Sequence, residues 1–195
     1  MASRDGDGWV DCTCGHKHWG LFGAAGLALV VENKILLQHR APWVHNGDTW
    51  GIPGGARDSH ESVEESALRE AMEEIGIDPN KILVLEKFID SHGKWSYTTI
   101  IATLKPGIDS DLNELANHSL HNAETSNLSW FDIYQLDIDL LKGMAASNFQ
   151  KVAEFHRAFN QPAPTELQTD ITIRDRRLCD FRISLIEEEF NELKH

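Results

Sequence analysis

GGARDSHESVEESALREAMEEIGI, running from Gly54 to Ile77, is the stretch whose spacing decides the fold. Gly55 is followed after five residues by Glu61, and after seven more by Arg69-Glu70. Glu73, Glu74, Gly76 and Ile77 complete the pattern. Wound at about 100° per residue, the stretch separates into two faces. Val63, Ala67, Leu68, Ala71, Met72 and Ile75 form an apolar side. Glu70, Glu73 and Glu74 fall together on an adjacent side, because positions i, i+3 and i+4 are neighbours on a helix. Like charges so placed repel, so the helix needs a cation among them. A hard divalent ion suits carboxylate oxygens, and Arg69 is positioned to orient one carboxylate by a charge-assisted hydrogen bond. Asp58-Ser59-His60-Glu61 offers the helix start, with Asp58 or Ser59 as N-cap. Gly76 offers its end, and Asp78-Pro79-Asn80 prevents resumption.

These residues resemble the Nudix box, G-x5-E-x7-R-E-U-x-E-E-x-G-U with U aliphatic. Ala71 is a small residue where the family usually has Leu, Ile or Val. The resemblance covers roughly residues 21–140 and implies an α/β/α sandwich with a mixed β-sheet. It also implies hydrolysis of a nucleoside diphosphate linked to another group. Under it Glu70, Glu73 and Glu74, with the backbone of Gly54, form the metal site for Mg²⁺, which Mn²⁺ can replace. Glu70 or Glu124 is the general base, and Arg69 orients. Glu61 holds the helix start or joins the outer metal shell, a structural role shared with Gly55 and Gly76. The backbone of Gly55 lies near the phosphates. Arg40, at the end of a strand, reaches substrate phosphates.

Composition limits the alternatives. The chain has 195 residues and a net charge of −13, which disfavours a nucleic-acid polymer as partner, since that surface needs dense Lys and Arg. It is compatible with a small anionic nucleotide, because a metal and a few local cations invert the field within a site. Nothing in the sequence is long and apolar enough to span a membrane. MASRDGDGWVDC lacks the apolar core of a signal peptide. Three cysteines do not make a disulfide framework, and a reducing cytoplasm is the expected location.

The flanks are read in chain order. Residues 1–20 form a lead-in ending in Cys12-Thr-Cys14-Gly-His16-Lys-His18-Trp19, with Trp19 expected to pack on the domain. Zinc on Cys12, Cys14, His16 and His18 is not expected, since C-x-C and H-x-H leave little chain to wrap a tetrahedron. GLALVVEN and ILLQHR read as a hairpin. APWVHNGD is a loop, and TWGIPGG a short strand entering the helix. Trp43, Trp50 and Trp95 offer faces for stacking a base, of which at most one is expected to do so. Strands follow at Ile82–Ile89 and Trp95–Leu104. Residues 105–123 are a polar loop, and Glu124 precedes an aromatic strand ending. The rest, 141–195, is a mostly helical extension with helices at Asn148–Phe159 and Phe181–Leu193. It is expected to cover a sheet edge or to build a homodimer contact.

Within the resemblance, subfamily markers are absent. No SQPWPFP-like segment follows the box, as in NADH pyrophosphatases. Ser91-His92-Gly93 stands where ADP-ribose pyrophosphatases carry a Pro, and Tyr97 lies late for a diadenosine polyphosphate hydrolase. The remaining reading is MutT-like: a nucleoside or deoxynucleoside triphosphate, oxidised or not, cut to monophosphate and pyrophosphate. Nucleotide sugars, dinucleotides and a non-catalytic nucleotide-binding regulator are the alternatives. An isopentenyl diphosphate isomerase would need a catalytic Cys inside residues 21–140, and none is present.

Overall fold

In a computed structural model the described residues are 4–108, 123–136 and 144–160. Among them the chain forms β1 (Trp9–Asp11), β2 (Lys17–Trp19), β3 (Ala24–Val31), β4 (Lys34–Arg40), β5 (Trp50–Gly51) and β6 (Gly54–Ala56). It continues with α1 (Val63–Ile75), a 3₁₀ turn (Pro79–Lys81), β7 (Ile82–His92), β8 (Trp95–Leu104), β9 (Thr125–Asp132) and α2 (Met144–Phe159). The fold is α/β with a mixed sheet in the order β5-β4-β3-β8-β7, β6 adding to β3 and β9 to β4. β3 and β8 run parallel and the other pairs antiparallel. β1 and β2 make a separate two-stranded hairpin.

The apolar run of β3 follows from its place. It is paired along both edges, and every residue but Val31 is buried. β3 carries Ala25, Leu27 and Leu29 into a core shared with Leu36 of β4, Ile100 and Ala102 of β8, and Ala67, Ala71 and Ile75 of α1. Ala71, the small residue in an aliphatic position of the box, is fully enclosed there. One of the residues on the apolar side read from sequence departs from it. Met72 is 58% exposed, whereas Val63 and Leu68 are partly buried against the core, because the buried stripe is centred on Ala67 and Ala71. Met72 stands about 100° further round than Ala71.

The start of α1 also differs from expectation. Ser62, not Asp58 or Ser59, is the N-cap, and Ser62 and Glu65 form a reciprocal capping box. Asp58 and Ser59 have other partners: Gly6 N–H donates to Asp58, and Ser59 N–H to Asp5. Gly76 closes the helix in the left-handed conformation at φ 71°, returning its N–H to the Met72 carbonyl. α2 begins four residues before the sequence-read helix at Asn148. The chain divides into two compact units, 1–153 and 154–195. In the second, the described residues hold a Phe155–Phe159 ring stack. Phe181–Leu193 lies outside the described residues. Among the described residues no helix is long and apolar enough to cross a membrane.

Candidate active site

Helix geometry ranks the three box carboxylates. Taking Ala67 as the centre of the buried stripe, Glu74 stands about 20° from it, Glu70 about 60° and Glu73 about 120°. Their exposures follow that order, at 4%, 14% and 43%. Glu74 is therefore a carboxylate inside the core, Glu70 one at its margin, and Glu73 one at the surface.

A buried carboxylate needs donors. Glu74 Oε2 accepts from the Gly54 N–H at 2.8 Å and from Gln38 Nε2 at 2.9 Å. Burial, and then the charge of Glu70, push its pKa up to about 8. Burial likewise raises Glu70 above the ordinary carboxylate range. The charge of the buried Glu74 adds to burial in raising the Tyr97 phenol.

Arg69 gathers the neighbouring acids. Its Nε and one terminal nitrogen hold both oxygens of Glu61, at 2.5 and 2.9 Å. The other terminal nitrogen reaches Glu70 at 2.5 Å and Glu73 at 3.4 Å. A further bond to the Ala56 carbonyl ties α1 to β6. Its hydrogen bond to Glu61 holds that carboxyl below its usual range. Glu61 lies before the helix, and its Oε2 accepts the Asp58 N–H. Gly55 passes directly over Glu70: a Cβ there would lie 2.7 Å from the Glu70 carboxyl carbon. A side chain at this position would have to displace the Glu70 carboxylate.

Glu73 is shared between two cations. Its carboxylate is ion-paired with Arg4, which also reaches Asp58 at 3.2 Å. The described side chains do not bring the oxygens of Glu70, Glu73 and Glu74 into one tight cluster. What they do present is a concentration of negative charge, Glu61, Glu70, Glu73 and Glu74, met here by the guanidinium groups of Arg69 and Arg4. Glu74 is buried and Glu70 half-buried, and both have raised pKa values. An all-oxygen donor set with excess negative charge fits a hard divalent cation.

The other sequence-read residues gather at the β4 end of this cluster. Thr125 donates to the Gln38 amide oxygen at 2.5 Å, which links β9 to Glu74 through one side chain. Arg40 pairs across the ladder with Thr125, and the Ala41 N–H donates to the Glu124 carbonyl. Glu124 is thus placed beside Arg40. The positive charge of Arg40 is felt at Glu74, and its Nε donates to the His45 carbonyl. Trp43 is 74% exposed, its indole N–H held by the Ala123 carbonyl. Trp50 is half-buried against Phe131 and His39. Trp95 is not available to a base, being 4% exposed under His18.

Sequence reading missed Gln38, Tyr97, Thr125, Asp58 and Arg4. Gln38 had a signal: an amide in the apolar run ILLQHR must find partners once buried, and it is fully buried. Arg4 had none, since its contact spans 69 residues of chain.

Residues 21–155 match the NUDIX domain model. Over 157 residues the chain is 41% identical to a putative 8-oxo-dGTP diphosphatase 3 of Mycobacterium tuberculosis, covering 73% of this chain and 67% of that protein. Over 111 residues it is 51% identical to a nucleoside triphosphate pyrophosphatase/Nudix hydrolase fusion protein of Bifidobacterium longum, covering 53% of this chain and only 23% of the fusion. A crystal structure of a Nudix hydrolase from M. smegmatis, RenU, superposes with a TM-score of 0.66 at 34% identity, covering 82% of this chain and all of the other. The chain belongs to the Nudix hydrolase family.

Proposed function

We propose that this chain hydrolyses nucleoside or deoxynucleoside triphosphates, 8-oxo-dGTP among them, to the monophosphate and pyrophosphate in a Mg²⁺-dependent reaction. The oxidised purine is supported by the similarity to the putative 8-oxo-dGTP diphosphatase of M. tuberculosis. The reaction class is supported by one observation above all. Two carboxylates, the buried Glu74 and the half-buried Glu70, sit at the glycine strand with their charge only partly matched by protein cations.

Glu70, Glu73 and Glu74 would hold the divalent ion, Glu73 exchanging its Arg4 partner for it, with Gly54 fixing Glu74 through its N–H. When bound, the ion neutralises charge developing on phosphoryl oxygens and makes water a better nucleophile. Water attacks one phosphorus, the bridging P–O bond breaks, and pyrophosphate leaves. The proton lost by water goes to Glu70, a carboxylate at the margin of the core, or to Glu124 across the site. Arg69 keeps Glu70 and Glu61 in place. Gly55 leaves room for the phosphates, Arg40 meets their charge, and Trp43 or Trp50 stacks the base.

A panel of triphosphates, oxidised triphosphates, nucleotide sugars and dinucleotides, assayed with Mg²⁺ and with Mn²⁺, tests this reading. Turnover is expected to be fastest on the triphosphates. Glu73→Gln is expected to lower kcat at least about a hundredfold. A folded wild type inert across the panel would instead be a nucleotide-binding regulator.

A further inference from the structure

The N-terminal hairpin carries chemistry that the nucleotide site does not use. β1 and β2 pair with Asp11 opposite Lys17, Val10 opposite His18 and Trp9 opposite Trp19. The reversal between them is tight: Cys12 N–H donates to the His16 carbonyl, and Gly15 N–H to the Cys12 carbonyl. That turn overcomes the objection raised by the spacing. C-x-C and H-x-H leave little chain to surround an ion if the segment is extended. Folded back, they place Cys14 Sγ 3.2 Å from His18 Nε2. The ligand atoms of Cys12, Cys14 and His18 all lie within 4.8 Å of one another. Ligand atoms around a tetrahedral zinc stand about 3.3–3.8 Å apart, given bond lengths of about 2.0–2.3 Å. Closing this cluster on an ion therefore takes small side-chain adjustments.

We propose that Cys12, Cys14 and His18 bind a zinc ion, with His92 of β7 as fourth ligand. The donor set decides the metal. Two sulfurs and imidazole nitrogen suit Zn²⁺ and not the hard Mg²⁺ expected at the carboxylates. His16 and His92 both stay outside this tight group; His92 has to rotate its side chain to reach the ion, and it is chosen over His16 because its ring lies against that of His18. His92 stands alongside: its ring centroid is 4.9 Å from that of His18, and its carbonyl accepts from Cys12 Sγ at 2.8 Å. The thiols of Cys12 and Cys14 are free and partly accessible, so the ion has a way in. The site joins the hairpin to the β7–β8 turn, so its role is to fasten the N-terminal segment to the sheet. This holds whatever nucleotide the chain cleaves.

The full chain, stripped with a chelator and dialysed, is to be titrated with Co²⁺ and then with Zn²⁺ against a chromophoric chelator. With millimolar Mg²⁺ present to occupy the carboxylates, one Co²⁺ per chain is expected to give a sulfur-to-cobalt charge-transfer band and the intense visible bands of a tetrahedral ion. Zn²⁺ should bleach them and further Mg²⁺ should not. Cys14→Ser is expected to weaken Zn²⁺ binding more than about 100-fold and His92→Ala at least about 10-fold, ligands mattering at least as much as the groups behind them. His16→Asn should bind as the wild type does. A wild-type chain with no charge-transfer band, whose thiols react equally fast with and without Zn²⁺, overturns the proposal. So does a folded Cys14→Ser variant of wild-type affinity. Should that variant not fold, the wild-type cobalt spectrum decides alone.

Discussion

Gly55 and Glu70 form one unit. A methyl group at 55 would lie 2.7 Å from the Glu70 carboxyl carbon, closer than van der Waals contact permits, and Arg69 already holds Glu70 from the other side. The carboxylate has to move, by something near an ångström. Displacements of that size at a reacting centre lower rates by about 100-fold. Gly55→Ala is therefore expected to lose roughly 10- to 100-fold in kcat with its far-UV circular dichroism intact, and an unchanged kcat would mean that Glu70 is not in the chemistry. Glu74 supplies a second test, through pH. Its folded pKa, about 8, stands above the ordinary value of 4.5, so the folded state binds this proton more tightly than the unfolded chain does. The stabilisation is complete below about pH 4.5 and disappears as pH rises through about 8. Glu70 is shifted in the same direction, whereas Glu61 is lowered and acts only below that window. With metal removed by EDTA, the Tm is expected to fall by several degrees between about pH 5 and pH 8, and in Glu74→Gln much of that slope should vanish.

At the scale of the element, α1 depends on Ser62, whose side chain accepts the Glu65 N–H while Glu65 returns a bond to the Ser62 N–H. Losing such a cap costs about 1 kcal/mol. Ser62→Ala is expected to lower the urea midpoint accordingly, with kcat of the folded fraction unchanged. A loss of kcat at unchanged stability would mean that the cap positions the carboxylates. The helix illustrates what sequence makes legible and what it does not. Period 3.6 identified α1 and placed three acids on one side, because those facts depend on local geometry alone. It overestimated the burial of Met72, because the direction of the buried stripe is set by the sheet beneath, which no periodicity reports. It misplaced the N-cap for a similar reason. Asp58 and Ser59 are good caps in isolation, but both are held by residues near the start of the chain. The strand pair β7–β8 was nearly complete in sequence because its two halves are joined by a two-residue turn. Gln38 and Tyr97 became part of the site only when β4 and β8 were laid beside Gly54.

Over the whole molecule, the largest difference from the sequence reading lies in residues 4–20. They read as a polar lead-in, yet they form an antiparallel hairpin attached to the body at several separate points. Leu21 N–H returns to the Gly6 carbonyl, Gly6 N–H reaches Asp58, Trp9 meets His45 edge-on, and Arg4 pairs with Glu73 and Asp58. The firmest attachment is at Trp95. His18 stacks on its ring at 4.2 Å and 10°, and the Trp19 carbonyl accepts its indole N–H at 3.2 Å. Burying an aromatic of this size contributes about 1.5–3 kcal/mol, and in a chain of this length each kcal/mol moves Tm by about 2–4 °C. Removing residues 1–19 is therefore expected to lower Tm by about 5–10 °C. Arg4→Ala alone, which deletes two partly exposed ion pairs, should change it by no more than about 1 kcal/mol, or some 2–4 °C. Thermal unfolding of both variants beside the wild type separates the two contributions. If the truncated chain melts with the wild type, the hairpin is an ornament on the fold; if Arg4→Ala melts as early as the truncation, charge and not the covering of Trp95 holds the segment down.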